Sequence, residues 1–95
     1  MYYCGIDYHK KYSVVSVVDG SGQSVREARI EGNSRQGFEA FFRGLGGPAK
    51  AVVEACWNWS GLYELIEGMR NVQEVVLAHP YKTRLIADAQ IKRPA

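Results

Sequence analysis

The sequence predicts an α/β fold built on a five-stranded mixed sheet with about three helices. Three observations predict it. Strand-like stretches, apolar or alternating, recur five times along the chain. The first three are separated by linkers short enough for hairpins, which makes them antiparallel neighbours. The last two alternate with stretches whose apolar residues repeat at helical spacing, which is the signature of strand-helix-strand crossovers.

Each element has its own local reason. Residues 2–7 (YYCGID) and 13–19 (SVVSVVD) are rich in β-branched or aromatic side chains and read as strands. YHKKY joins them and is hairpin-length, although it lacks the Gly or Asn of the tightest turns. DGSGQ (19–23) is a stronger turn signal. SVREARIE (24–31) alternates and carries charge, which suits a third strand at a sheet edge. Ser34 can then cap a helix whose Phe38, Phe41, Phe42 and Leu45 share one face. GGP (46–48) stops that helix. KAVVEAC (50–56) is a continuous apolar run broken by Glu54, as expected of a strand covered on both faces. A second helix is expected from Ser60, with Leu62, Leu65, Ile66 and Met69 on one face. EVVLA (74–78) reads as the fifth strand. Pro80 can open a third helix, PYKTRLIADAQIK. The fourth and fifth strands are expected to join by right-handed crossovers.

The chain has 95 residues, enough for one domain and too few for two. Its 46% hydrophobic content suits a packed core. The formal charge of +2 is too small to identify a partner, so the placement of charge carries more information. No apolar run reaches membrane-spanning length, and no signal peptide is visible at the N-terminus. Cys4 and Cys56 are therefore expected as reduced thiols in a cytoplasmic protein.

Two acids have unusual positions. Asp7 ends the first apolar strand, and Glu54 interrupts the fourth. If these strands lie parallel and adjacent, the two carboxylates converge at one sheet end, where ligands of open α/β sheets collect. Uncompensated, they repel, and a divalent cation relieves that conflict. Mg²⁺ takes one or two carboxylates and completes its shell with water and substrate phosphate oxygens. Strand-end acids also serve as plain turn residues, so spacing alone leaves both roles open.

The stretches GIDYHKKYSVVSVVDGSG, VVEACWNWSGLYELIE and LAHPYKTRLIADAQIK, taken together, resemble the N-terminal domain of DEDD-type insertion-sequence transposases and Piv-type DNA invertases. The likeness runs from about Cys4 to Lys92. It rests on GID-x-H-K, a strand-end Glu-Ala, and A-H-P-x-K-T-R before an Ala-rich helix. The resemblance implies an RNase H-like (RuvC-like) fold. It also implies Mg²⁺ or Mn²⁺ bound by Asp7 and Glu54, and metal-dependent cleavage and transfer of DNA strands. Family members carry two further acids after an Ile-Lys pair. Here Ile91-Lys92 is followed by Arg93-Pro94-Ala95, so the expected metal site is incomplete in this chain. The family's second, C-terminal domain is likewise not within these residues. The partners implied are element ends or branched DNA, a guide RNA for the full-length protein, and a second copy in a homo-oligomer.

Other residues have two readings each. His9 either lies beside Asp7 or is a solvent-exposed turn residue. Lys10 and Lys11 are either phosphate contacts or a solvated hairpin tip. Lys82, Arg84, Lys92 and Arg93 form the densest positive region, fit for a nucleic acid backbone or for a charged solvent face. His79 is expected to serve locally, at the strand end before Pro80. Trp57 and Trp59 can stack on unpaired bases, but core or subunit contact is the preferred role. Cys4, His9, Cys56 and His79 have the ligand types for zinc but not the paired spacing. Two competing functions remain. One is an actin-like or sugar-kinase ATPase, which needs a Gly-bearing first hairpin that YHKKY does not provide. The other is a non-catalytic module that binds nucleic acid or dimerises.

Overall fold

The computed structural model describes residues 1–54 and 59–78. The elements in chain order are β1 (Tyr2–Tyr8), β2 (Tyr12–Val18), β3 (Ser24–Glu31), α1 (Arg35–Leu45), β4 (Ala49–Glu54), α2 (Trp59–Ile66) and β5 (Val72–Ala78). The five strands form one mixed sheet in the order β3-β2-β1-β4-β5. β1 and β3 each pair antiparallel with β2, while β4 pairs parallel with both β1 and β5. The α/β architecture with a five-stranded mixed sheet is thus observed, with two helices among the described residues. The third expected helix lies outside them.

The period-two pattern of the strands divides the sheet into two unlike faces. Cys4 and Ile6 of β1, Val15 and Val17 of β2, Ile30 of β3, and Ala49, Ala51 and Val53 of β4 are buried. They form one cluster with Phe38, Phe41 and Phe42 of α1 and with Leu62 and Ile66 of α2, so both helices cover the same face. Asp7 and Glu54 alternate with Ile6 and Val53 and therefore stand on the other face. Among the described residues nothing covers that face: Tyr3 and Val76 are exposed, and Lys50 and Val52 are half-buried. The expectation that the fourth strand is covered on both faces is therefore not met by the described residues. The helices that follow β3 and β4 both pack on one side.

Element ends differ from the sequence expectations for local reasons. β2 stops at Val18 because Asp19 turns the chain. Its Oδ1 accepts hydrogen bonds from Ser21 N (2.9 Å), Ser21 Oγ (2.6 Å) and Gln23 N (3.0 Å). α1 begins as expected at its Ser34 cap, whose Oγ accepts from Gly37 N at 3.0 Å. It ends at Gly46, whose φ of 72° is the left-handed conformation that glycine adopts without strain. α2 starts one residue early, at Trp59, and ends at Ile66, so Met69 follows the helix rather than belonging to it. Met69 is still buried, because the turn through Gly68 (φ 83°) and Asn71 (φ 74°) folds it under the sheet. β5 begins two residues earlier than expected, since Ala49–Val72 pairing extends the ladder past a register shift.

Candidate functional site

β1 and β4 run parallel with Ile6 opposite Val53. One residue further along each strand stand Asp7 and Glu54, on the same open face and at the same carboxyl end. Neighbouring strands lie about 4.8 Å apart, so the two residues stand at adjacent strand ends. Both line an open cavity of about 430 Å³, together with Gly5, Val14, Ser16, Val52 and Glu27. Gly5 leaves its floor low, since a Cβ built there meets nothing within 4 Å. The cavity walls are therefore apolar at Val14 and Val52 and acidic at three points.

Glu27 was not among the sequence candidates. The row Gly5–Ser16–Glu27 crosses three strands in register, and Ser16 Oγ donates to Glu27 Oε2 at 3.4 Å. The alternation of SVREARIE gives the face of Glu27, but only the β2–β3 register places it in this row. Among the described residues, no group of three or more His, Cys, Asp or Glu side chains converges closely enough to hold a metal ion. Glu27 shares the cavity without joining the Asp7–Glu54 pair.

His9 is engaged with Asp7. Its Nε2 lies 2.9 Å from Asp7 Oδ2, and its ring stacks on Tyr12 with centroids 4.6 Å apart. His9 thus lies beside Asp7 and is at the same time a turn residue whose side chain is 42% exposed, so both readings hold in part. The sharp turn between β1 and β2 brings the imidazole back over the strand end. Arg29 Cζ sits 3.7 Å from the centre of the same Tyr12 ring and pairs with Glu31. A residue missed from sequence holds this turn in place. Asn33, at φ 49°, donates from Nδ2 to the His9 carbonyl at 2.7 Å and accepts from the buried Ser13 hydroxyl. Its left-handed conformation after Gly32 was the available signal, because Gly-Asn favours such backbone.

Lys10 and Lys11 are exposed at the tip of this turn, just beyond Asp7. The His9 amide is bonded to the Tyr12 carbonyl at 2.9 Å, so it is not free to cradle a phosphate as an ATPase hairpin requires. Trp59 is the first residue of α2 and is 37% exposed, outside the core cluster. Of the expected core or subunit contact, the core part is not met by Trp59: Leu62 and Ile66, in the next turns, fill it. Cys4 is fully buried on the helix-covered face, opposite to the carboxylates, so of the zinc combination Cys4 and His9 do not come together. Burial pushes its thiol pKa up to about 11. Cys56, Trp57, His79, Lys82, Arg84, Lys92 and Arg93 lie outside the described residues.

Hard carboxylate oxygens with open space around them suit Mg²⁺ or Mn²⁺, which bind through one or two carboxylates plus water and phosphate oxygens. Asp7 and Glu54 fit that donor set, with one Asp7 oxygen oriented by His9. No helix among the described residues is long and apolar enough to cross a membrane. No family model matches the chain, and no curated protein matches it.

Proposed function

We propose that this chain is the N-terminal, nuclease-type part of a DNA transposase or site-specific recombinase of the DEDD-type, with an RNase H-like fold. The observation that carries the reading is the placement of Asp7 and Glu54. They stand one residue past the paired Ile6 and Val53, on one open face, at the carboxyl end of two central parallel strands. The strand order β3-β2-β1-β4-β5 supports the fold reading, since it sets the first and fourth strands side by side.

In this reading Asp7 and Glu54 hold Mg²⁺ or Mn²⁺, and further acids complete the set. The ion, when bound, supplies charge neutralisation at the scissile phosphate and acidifies a water. His9 orients one Asp7 oxygen, so the carboxylate is presented in one rotamer. Lys10 and Lys11 meet the backbone of the same DNA next to the site, with affinity but no sequence readout. Lys82, Arg84, Lys92 and Arg93 extend that contact. Element ends or branched DNA are the substrates, a guide RNA is a partner of the full-length protein, and the active form is a cytoplasmic homo-oligomer.

The test is Mg²⁺-dependent cleavage of branched or element-end DNA by the chain together with the in-frame sequence following residue 95. Asp7→Asn and Glu54→Gln are each expected to lower the rate at least about a hundredfold, because losing a ligand costs more than losing its hydrogen-bond partner. Unchanged cleavage in both variants would sink the assignment. A second reading, a nucleic-acid-holding module without catalysis, is favoured by the finding that, among the described residues, no three His, Cys, Asp or Glu side chains converge to hold a metal ion. Affinity for DNA that persists in EDTA, with no cleavage under any metal, is its signature.

A further inference from the structure

We propose that the helix-covered side of the molecule carries a second, separate nucleic-acid contact: an arginine groove between α1 and the turn before β5. The groove is an open cavity of about 490 Å³ lined by Arg35, Glu39, Arg43, Gly68, Met69 and Arg70. It lies on the other side of the sheet from Asp7 and Glu54, because α1 and α2 pack on the face those two residues do not share.

Three arginines from two elements line the same cavity as one glutamate. Arg35 Nε pairs with Glu39 Oε1 at 3.0 Å, an i to i+4 pair on α1. Arg43 and Arg70 make no ion pair among the described residues, and both are exposed. The groove therefore keeps a surplus of two positive charges. Like charges brought together disfavour the arrangement unless an anion is present.

The fold holds these groups in place. Arg35, Glu39 and Arg43 recur every four residues, which sets them along one face of α1. Asn71 Nδ2 donates to the Phe42 carbonyl at 3.0 Å, tying the turn before β5 to the end of α1. Met69 is buried beneath that turn, and Met69 N donates to the Ile66 carbonyl at 3.1 Å. Arg70, between two anchored residues, lines the same cavity as Arg43.

The span of the groove selects its ligand. Arg35 and Arg43 are eight residues apart on a helix, a separation of about 12 Å. A single phosphate is too small to meet both. A nucleic acid strand repeats its phosphate every ~3.4 Å of duplex axis and reaches both ends of the groove. Guanidinium groups also match phosphate oxygens in pairs, which suits a backbone contact without base readout.

The experiment measures binding of fluorescein-labelled duplex and single-stranded DNA to the 95-residue chain by anisotropy, across a salt series in EDTA. Arg43→Gln/Arg70→Gln is expected to weaken binding about tenfold or more and to reduce the slope of log K against log salt by about two. Glu39→Gln is expected to strengthen it, since it removes the one negative charge. Circular dichroism melting of both variants checks that they fold as the parent does. Exposed arginines without partners are not expected to change the melt. Asp7→Asn/Glu54→Gln is carried through the same titration and is expected to bind no more weakly than the parent. Wild-type affinity and salt slope in Arg43→Gln/Arg70→Gln would overturn the groove, whatever the cleavage assay gives. So would undetectable binding by the parent at low salt, or tighter binding of inorganic polyphosphate than of DNA with the same number of phosphates. Loss of cleavage in Asp7→Asn with this groove still binding keeps the two readings distinguishable.

Discussion

Asp19 shows how one side chain can end a strand. Its carboxylate gathers the Ser21 hydroxyl and the Ser21 and Gln23 amides, and these bonds hold its pKa below the usual carboxylate value, the Ser21 hydroxyl contributing most. A lowered folded-state pKa means that the ionised form favours folding. That contribution is complete above the ordinary aspartate pKa and is lost as pH falls through the lowered one. Asp19→Ala is therefore expected to lower the melting temperature at neutral pH. Melts of parent and variant should converge in strong acid. Cys4 gives a second prediction at this scale. It is fully buried, with a pKa near 11, and is expected to resist thiol reagents at pH 8 until denaturant is added. A Cys56→Ser background isolates its signal. Rapid labelling of the folded variant would contradict the packing described for β1.

At the scale of the element, α1 separates helix propensity from packing. Alanine usually stabilises a helix relative to glycine by about 1 kcal/mol. At Gly37, however, an added Cβ would lie 2.9 Å from both Ile30 Cγ2 and the Ser34 cap oxygen. Ile30 is buried against α1 and the cap oxygen is already bonded, so neither can give way freely. Gly37→Ala is expected to destabilise despite its propensity. Gly44 is the contrast. Its added Cβ would meet only the far end of Arg26, at 3.2 Å, which can swing aside. Gly44→Ala is expected to be neutral or to stabilise by up to about 1 kcal/mol. Urea denaturation of the two variants side by side decides the matter. In the same helix Phe42 is fully buried, and Phe42→Ala is expected to cost about 3–5 kcal/mol. That is a large part of the total stability of a domain this small.

The whole molecule is a sheet with helices on one side, and its stability should follow that asymmetry. β1 sits in the middle, paired on both edges and with its inner face against both helices' cluster. β3 is an edge strand whose outer face is mostly charged, and six of its eight residues are exposed. Hydrogen exchange is expected to be slowest at Cys4, Ile6, Val15 and Val53 and fastest along the unpaired side of β3. Uniform protection across all five strands would contradict this. The open face also explains why the carboxylates are accessible: strand alternation sends Asp7 and Glu54 away from the core and into a cavity bordered by Gly5.

Much of this was legible from local pattern. The five strands and the first helix follow from apolar periodicity, and Ser34 and Gly46 mark helix ends because unpaired backbone groups there need a hydroxyl or a left-handed residue. The candidate carboxylates were legible too, because an acid at the end of an apolar run stands out. Other features depended on contacts between residues far apart in the chain. Glu27 enters the cavity through the register of β2 with β3. Asn33 reaches back to His9, and Asn71 reaches across to Phe42. The arginine groove joins α1 to a turn 25 or more residues later, and no spacing rule links them. Periodicity and capping act within a few residues, so the chain's local pattern is enough to set which segments become strands and helices. Which strands lie side by side, which face stays open and which charges share a cavity follow from the packed fold alone. Those depend on the closing of long loops and the pairing register, which local propensity does not encode.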